Sequence, residues 1–373
     1  MMDAEGFKET YERIVANVNK VIHGKDDVVR LSMVAICAGG HVLFEDVPGV
    51  GKSMLALALS RSISADTARI QCTPDMLPGD ITGSSIIDTK SMTLQFKPGP
   101  VFTNVLLVDE VNRATPKTQS ALLEAMAEKT VTADGVTRQL PKPFLVLATQ
   151  NPVELAGTFP LPEAQLDRFL FKLTMGYPSL EAERLVMRGN AVGLEVDNTE
   201  PVATTEDVLE MTRVASLVRV SVGVETYILE LTHATRADAS CTLGAGPRAS
   251  IALLKASKVM AAADGRDVVQ AEDVKAVLRP VLAHRLMLSP DATLRGETVD
   301  DVLERVLNRV KPPVNTDEDF APQSIAPKAR NATSGGGRTA VKANGSSRTS
   351  RATTEAASGT NGQPRRQPRR ARA

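Results

Sequence analysis

The first half of the chain alternates short apolar runs with longer stretches of helical periodicity. The apolar runs are bounded by polar or turn-forming residues, and they predict strands at residues 42–45, 69–72, 105–109, 145–149 and 171–175. Apolar residues with helical spacing predict helices at residues 28–38, 52–63, 117–129 and 163–169. Short strands separated by helices favour a parallel sheet that is covered on both faces.

The pattern changes after Tyr177, where helical periodicity dominates. The predicted helices are residues 180–188, 206–218, 224–237, 247–262, 271–285 and 299–310. An acidic first turn after Ser179 supports the first of these starts. We therefore expect an α/β domain at residues 1–177 and a helical domain at residues 178–310.

Two segments interrupt the alternation of the first half. Residues 84–100 predict two short strands around residues 88–91. Residues 130–139 alternate on either side of Asp134 and Gly135, which is a hairpin signal. Both segments predict β-hairpins inserted between core elements, and structural decoration is the simplest interpretation of each.

Charge and composition place a further boundary near residue 311. The chain has 44 Lys or Arg and 44 Asp or Glu, so its formal net charge is zero. Residues 312–373 hold 11 of the basic and 4 of the acidic residues, which leaves 33 basic and 40 acidic residues in 1–311. The C-terminal segment is rich in Pro, Ser, Thr, Gly, Ala and Arg. It buries too little apolar area to offset its chain entropy, and we expect a disordered basic tail at residues 311–373.

Composition also argues against several classes of protein. Three widely spaced cysteines with no CxxC pair oppose a zinc site or a disulfide framework, and they fit a reducing cytoplasm. The sequence contains no apolar run of about 18 residues, so no transmembrane helix is predicted. Residues 1–11 lack the apolar centre of a secretory signal. Aromatic residues make up 3% of the chain, which opposes a base-stacking surface.

A glycine-rich turn, DVPGVGKS at residues 46–53, lies between a predicted strand and a predicted helix. Gly49 and Gly51 let backbone amides turn inward, where they attract phosphate oxygens together with the helix N-terminus. Lys52 is placed to reach the β- and γ-phosphates of a nucleotide, and Ser53 to ligate magnesium. Asp46 stands where the usual phosphate loop has its first glycine. An accidental glycine-rich turn is the alternative interpretation.

The strand predicted at residues 105–109 ends in two carboxylates, Asp109 and Glu110. In phosphate-loop ATPases, the first carboxylate orients magnesium and the second accepts a proton from the attacking water. The pair alone would be interpreted as a solvated strand end. Together with the phosphate loop, it predicts ATP hydrolysis.

Five longer strings resemble a known family. They are GGHVLFEDVPGVGKS at residues 39–53, DEVNRA at 109–114, QSALLEAM at 119–126, ATQNP at 148–152 and LPEAQLDRF at 161–169. In this order they resemble the MoxR family of AAA+ ATPases, over about residues 8–310. The resemblance implies an α/β fold: an AAA+ parallel-sheet P-loop ATPase domain, followed by a C-terminal all-helical lid domain and the disordered basic tail. Asp46 in place of glycine is common in this family.

The resemblance assigns a nucleotide site for ATP and Mg²⁺. Its binding residues are Val47, Pro48, Gly49, Val50, Gly51, Lys52, Ser53 and Asp109. Ser53 and Asp109 are the implied metal ligands. Val21, Ile22 and Gly24 fall where such proteins contact adenine.

The resemblance also implies catalytic roles, carried by Glu110, Asn151, Arg168 and Arg248. Asn151 matches sensor 1, the polar residue that orients the attacking water. Arg168 matches the arginine finger that reaches the γ-phosphate of a neighbouring subunit. Arg248 matches sensor 2 of the lid, acting on its own nucleotide or on a neighbour's.

Family resemblance further implies a ring-shaped homo-oligomer, a hexamer, with chaperone-like action on a protein partner that bears a von Willebrand factor A type domain. By analogy, the inserts at residues 80–101 and 130–143 face the ring's pore or a substrate. Three alternatives stay open: a nucleic-acid motor or clamp loader, a magnesium or cobalt chelatase ATPase subunit, and a scaffold that no longer hydrolyses ATP. The basic tail favours contact with nucleic acid, a membrane or an acidic protein, and a solvated linker is its alternative interpretation.

Overall fold

The computed structural model of this chain describes residues 2–46, 49–88, 93–151, 157–192 and 199–313. The predicted tail lies outside these ranges, apart from residues 311–313. Within the described ranges, no helix combines the length and the apolar character that crossing a bilayer requires.

Strands and helices alternate in the first half, and helices dominate the second. In chain order, the strands are β1 (Val42–Glu45), β2 (Thr67–Gln71), β3 (Gly83–Asp88), β4 (Thr93–Pro98), β5 (Val105–Asp109), β6 (Thr130–Ala133), β7 (Val136–Gln139), β8 (Leu145–Gln150), β9 (Phe171–Leu173), β10 (Cys241–Leu243) and β11 (Met287–Leu288). The helices are α1 (Ala4–Asn19), α2 (Asp26–Cys37), α3 (Lys52–Ser62), α4 (Pro78–Thr82), α5 (Pro116–Glu128), α6 (Glu163–Leu166), α7 (Leu180–Val192), α8 (Thr205–Leu217), α9 (Val222–Arg236), α10 (Pro247–Ala263), α11 (Ala271–Leu282), α12 (Pro290–Leu294) and α13 (Val299–Arg309). Short 3₁₀ turns follow β5 and α11.

Strands β2, β5, β8, β1 and β9 form one parallel sheet in that order. Along β5, Val105 and Leu107 pack into one apolar cluster, whereas Leu106 and Val108 pack into another. Both faces of the sheet are therefore buried, as the short apolar runs predict. The carboxyl ends of β5, β8 and β1 meet at one edge because all three strands run in the same direction and pair in register.

Helix α1 is an addition to the predicted elements. Its apolar residues follow the helical period, and Phe7, Tyr11 and Ile14 are buried. Asp3 caps the helix by accepting a hydrogen bond from the amide of Gly6 at 2.9 Å. The apolar cluster that contains α1 continues through one face of the sheet into α8–α11. This continuous core marks no boundary between the two predicted domains. Their division therefore stays a prediction.

The C-terminal half contains a small sheet in addition to the helices that the resemblance implies for the lid. Strands β10 and β11 pair antiparallel, with Cys241 opposite Leu288. Strand β10 follows α9 after a short turn, and β11 follows the 3₁₀ turn at the end of α11. That turn replaces the end of the single helix predicted at residues 271–285. Pro280 has no amide hydrogen for the helical bond, and α11 ends at Leu282.

Both predicted hairpin insertions are confirmed. Strands β6 and β7 join through Asp134 and Gly135, whose φ angles of 53° and 73° fit a two-residue hairpin turn. The hairpins also contact each other. The guanidinium of Arg138 lies 3.7 Å from the ring centroid of Phe96, and the Ser85 hydroxyl donates to the Asp134 carboxylate. Side-chain contacts therefore join the two inserts.

His41 links the start of β1 to two neighbouring elements from a buried position. Its Nδ1 accepts a hydrogen bond from the amide of Val146 at 3.0 Å, so Nε2 carries the proton and donates to the carbonyl of Met126 at 3.1 Å. Burial lowers the pKa of His41 to about 4, because the imidazolium would lose its hydration.

We expect the free energy of unfolding to fall as the pH drops from 6.5 to about 4. In this window the unfolded chain binds a proton on His41 that the folded chain does not, so protonation favours unfolding, on the order of 3 kcal/mol at the lower limit. Burial also lowers the pKa of His284, which acts in the same direction. In urea titrations at several pH values, His41→Gln should flatten the decline. The exposed His233→Gln is the matched control, and an unchanged decline in His41→Gln would contradict the prediction.

Candidate active site

The candidate phosphate loop lies between the end of β1 and the start of α3. Two of its predicted binding residues, Val47 and Pro48, lie outside the described residues. Gly49 and Gly51 have φ angles of 84° and 97°, a region that residues with a Cβ enter only at a cost. Helix α3 starts without a side-chain cap. An anion can therefore cap its first turn.

The loop opens onto a pocket of about 440 Å³ at the carboxyl edge of the sheet, here named the phosphate pocket. The predicted site residues that line it are Gly49, Gly51, Lys52, Ser53, Asp109, Glu110 and Asn151. Val50 packs against the apolar core instead. The pocket also contains polar residues that were not predicted, among them Arg69 and Thr149.

Lys52 is nearly buried, with 9% of its surface exposed. Its Nζ donates to the carbonyl oxygen of Asp46 at 3.3 Å. Burial lowers the pKa of Lys52, and the carboxylates of Asp46, Asp109 and Glu110 oppose this effect. Phosphate groups in the pocket would add negative charge and favour the ammonium form further.

Asp109 is held at the end of β5 by two neighbouring strands. Its Oδ2 accepts from Arg69 Nε at 2.8 Å, and its Oδ1 accepts from Thr149 Oγ1 at 3.3 Å. The same Thr149 oxygen accepts from the backbone amide of Glu110 at 2.9 Å. Thr149 therefore fixes both carboxylate-bearing residues.

Glu110 adopts a left-handed conformation, with φ 54° and ψ 51°. In a continuing strand, successive side chains point to opposite faces. Because the chain turns at Glu110, its carboxylate lines the same pocket as that of Asp109. Arg113 pairs with the Glu110 carboxylate at 2.9 Å. The cost of this backbone conformation marks a position where side-chain direction matters.

Asp46 has a structural reason for standing where phosphate loops usually have glycine. Its Oδ2 accepts from the amides of Met175 and Gly176, at 2.6 Å and 2.7 Å. These bonds tie the start of the loop to the chain beyond β9. The sequence gives little signal for this contact, because 129 positions separate Asp46 from Met175.

Asn151 follows β8 and lines the phosphate pocket beside Glu110. Its carbonyl accepts from Asn112 Nδ2 at 3.5 Å. The preceding residue, Gln150, donates from Nε2 to Glu45 Oε1 at 2.7 Å. This network joins the ends of β8 and β1, and it holds the backbone that presents Asn151.

Arg168 and Arg248 lie in a different pocket of about 480 Å³. Within the part of the chain that the structure describes, its lining shares no residue with the phosphate pocket. Arg168 Nη1 donates to the carbonyl of Leu123 at 2.9 Å, and Arg248 Nη1 lies 3.9 Å from Asp167 Oδ2. The structure thus does not bring these two predicted catalytic residues to the phosphate pocket of their own chain.

This second pocket, here named the basic pocket, gathers further cations. Its described lining includes Arg168, Arg248, Lys129, Lys255 and Arg285, with Asp167 as the carboxylate among them. Burial lowers the pKa of Lys129, and the nearby Lys255 lowers it further. Such an excess of positive charge favours an anionic occupant.

Comparisons with known proteins agree with this geometry. Residues 41–171 match the family described as "ATPase family associated with various cellular activities (AAA)", and residues 233–306 match the AAA lid domain. Protein YeaC of Bacillus subtilis is 48% identical over 302 residues, which cover 81% of this chain and 94% of that protein. The chaperone MoxR1 of Mycobacterium tuberculosis is 38% identical over 338 residues, which cover 88% and 89%. This chain belongs to the MoxR family of AAA+ ATPases.

A solved structure supports the same assignment. A candidate ATPase from Cytophaga hutchinsonii is 40% identical and superimposes with a TM-score of 0.78, over 83% of this chain and 97% of that one. Membership of the MoxR family confirms the resemblance and the predicted fold class. It also makes the chain an ATPase that binds ATP, in a superfamily whose members typically form oligomeric rings.

The phosphate pocket of this MoxR-family chain has donors that fit Mg²⁺. The Ser53 hydroxyl and the buried Asp109 carboxylate both line it. Mg²⁺ prefers oxygen ligands and commonly takes one or two from the protein, with water and phosphate completing its shell. A hydroxyl and a carboxylate beside a phosphate loop match that requirement.

Proposed function

We propose that the chain is a Mg²⁺-dependent ATP hydrolase that works as a cytoplasmic ring, a hexamer, and uses hydrolysis to remodel, activate or assemble a protein partner. The observation that carries the proposal is the separation of the phosphate pocket from the basic pocket. Among the described residues, three carboxylates and two cations line the first pocket, whereas five cations and one carboxylate line the second. Head-to-tail contacts between copies would bring the two together, and such contacts form a ring when they close.

In this proposal, the loop around Gly49 and Gly51 holds the phosphates of ATP with its backbone amides. Lys52 neutralises oxygens of the β- and γ-phosphates. Ser53 and Asp109 hold Mg²⁺, which when bound supplies charge neutralisation at the same phosphates.

Glu110 accepts the proton of the water that attacks the γ-phosphorus, and the amide of Asn151 orients that water. The bond from the γ-phosphorus to the bridging oxygen breaks, leaving ADP and inorganic phosphate. Both side chains line the phosphate pocket, which supports these roles.

Arg168 and Arg248 are proposed to act on the nucleotide of a neighbouring copy. Guanidinium groups stabilise negative charge on the phosphoryl group during transfer. Both arginines line the basic pocket rather than their own phosphate pocket. We therefore assign Arg248, like Arg168, to a role in trans.

The surface of the first hairpin supports a protein partner. Ile86, Ile87 and Leu94 are 50%, 63% and 64% exposed, and apolar side chains on an inserted hairpin fit contact with a protein better than contact with a phosphate backbone. The relative MoxR1 is named a chaperone. We propose that the partner bears a von Willebrand factor A type domain. Nucleic-acid or membrane contact through the tail, in residues outside the described ranges, is the alternative.

Affinity capture with the Glu110→Gln form tests this function. Loaded with ATP, a ring that cannot hydrolyse should retain one reproducible protein, and addition of ADP in place of ATP should abolish the retention. Lys52→Ala is the control that should not hold it under either condition. The captured protein, once purified, should raise the ATP turnover of the wild-type ring. Recovery of nucleic acid instead of protein would overturn the proposal in favour of a nucleic-acid motor.

A further inference from the structure

We infer that Arg285 is a positioning residue for Arg168: its buried guanidinium fixes the segment that carries the finger against the lid. The inference rests on the proposed role of Arg168 toward a neighbouring copy. Arg285 lies in the 3₁₀ turn after α11, and 4% of its side-chain surface is exposed. It belongs to none of the strings that carry the family resemblance.

The guanidinium of Arg285 uses all five of its N–H donors. Four of them go to the segment 167–170. Nε donates to Asp167 Oδ1 at 2.8 Å, and Nη2 donates to the carbonyls of Asp167 and Phe169 at 3.2 Å and 2.5 Å. Nη1 donates to the carbonyl of Leu170 at 3.2 Å and to that of Val281. His284 adds a 3.1 Å hydrogen bond from Nε2 to the Phe169 carbonyl.

These bonds hold the backbone on both sides of Arg168. The segment lies between α6 and β9, and its amides bond to α6 and, at Leu170, to the carbonyl of His41. Its carbonyls at positions 167, 169 and 170 bond to Arg285 instead. Its residues on either side of the finger, Asp167 and Phe169, are both bound to Arg285. Because consecutive Cα atoms are about 3.8 Å apart, Arg168 cannot shift far while its two neighbours are held.

Asp167 extends the link to a second lid helix. One of its oxygens binds Arg285, and the other lies 3.9 Å from Arg248 at the start of α10. The carboxylate thus holds cations from two lid elements beside the finger. A change in lid position should move Arg168 with it, since these contacts connect α10, α11 and the segment 167–170.

The alternative to a positioning role is a purely structural one, in which the guanidinium only satisfies buried carbonyls and stabilises the fold. The structural role and the positioning role predict different defects. Loss of a purely structural group lowers the melting temperature and acts on the subunit that carries the change. Loss of a positioning group impairs hydrolysis at the neighbour's pocket and spares nucleotide binding in the variant's own pocket.

Arg285→Gln and Arg285→Lys test the inference in the full-length chain. We expect Arg285→Gln to lower kcat about 10- to 100-fold, with the ATP dissociation constant changed less than about threefold. Lys keeps the charge but places its donors on one nitrogen, so Arg285→Lys should recover a small part of the rate. Asp167→Asn with Arg285→Gln removes both charges and so avoids a partly buried carboxylate that has lost Arg285, in case Arg285→Gln alone fails to fold. Arg295→Gln, at an exposed arginine that pairs with Glu297 after α12, is the matched control and should match wild type.

Mixed rings show where the defect acts. Glu110→Gln subunits have an inactive pocket and an intact finger, so they should restore hydrolysis in the pockets of Arg285→Gln subunits. The reference mixture is Glu110→Gln with Arg168→Ala, and the negative control is Glu110→Gln with Lys52→Ala.

We expect the Arg285→Gln mixture to regain at least half of the activity that the reference mixture regains. If the reference recovers and the Arg285→Gln and double-variant mixtures do not, Arg285 does not act through Arg168 and the inference is wrong. If the reference mixture itself stays inactive, Arg168 does not act on a neighbouring copy. The proposed role of Arg168 is then wrong, and so is the inference about Arg285. Wild-type turnover by Arg285→Gln alone would also overturn it.

Discussion

Replacing Glu110 with Gln should lower steady-state ATP turnover by about 10²- to 10⁴-fold, because the amide cannot accept the proton of the attacking water. ATP affinity should change little. The residue's backbone bond to Thr149 remains, and the amide oxygen can still accept from Arg113. Phosphate release measures the first effect, and equilibrium binding of a fluorescent ATP analogue measures the second.

Two further variants serve as comparisons for Glu110→Gln. Lys52→Ala should weaken nucleotide binding itself, since it removes the ammonium group of the phosphate pocket. Glu304→Gln, at an exposed position on α13, makes the same chemical change far along the chain and should leave both measurements unaltered. Near-normal hydrolysis in Glu110→Gln would remove Glu110 as the proton acceptor. Parallel losses of binding and turnover would assign it to holding the nucleotide.

Much of the fold could be predicted because its elements are encoded locally. Strand β5 is a run of apolar residues that ends at Asp109 and is followed by Glu110, and the turn of the second hairpin needs only Asp134 and Gly135. The order of the strands has no such local signal. Arg69 and Thr149 therefore could not be placed beside Asp109, although both bind its carboxylate.

The candidate site divides in the same way. The residues of the phosphate loop follow one another in sequence, and so do the two carboxylates. A sequence pattern can therefore predict each of these motifs. Partners from distant parts of the chain could not be predicted. Arg285 binds Asp167 across 118 positions, and a buried arginine there has no sequence signal. Such contacts depend on how α11 packs beside β9, which follows only from the assembled core.

Replacing Arg168 with Ala should lower the turnover of a homogeneous ring by about 10³-fold, the effect of removing an arginine finger. Binding of ATP should persist, because Arg168 lines the basic pocket and not the phosphate pocket of its own chain. The Leu123 carbonyl lies inside α5 and keeps its helical hydrogen bond without Arg168, so the fold should tolerate the change. Phosphate release, nucleotide binding and the melting temperature separate these three effects.

Mixing decides whether Arg168 acts in trans. Glu110→Gln and Arg168→Ala rings should each be inactive, but an equal mixture should regain roughly a quarter of wild-type activity if subunits assemble at random in a closed head-to-tail ring. An active pocket then needs an Arg168→Ala subunit, whose base is intact, beside a Glu110→Gln subunit, whose finger is intact. Each condition holds at about half of the positions. If Arg168 served its own pocket, no combination would contain a complete site, and the mixture would stay as inactive as its components.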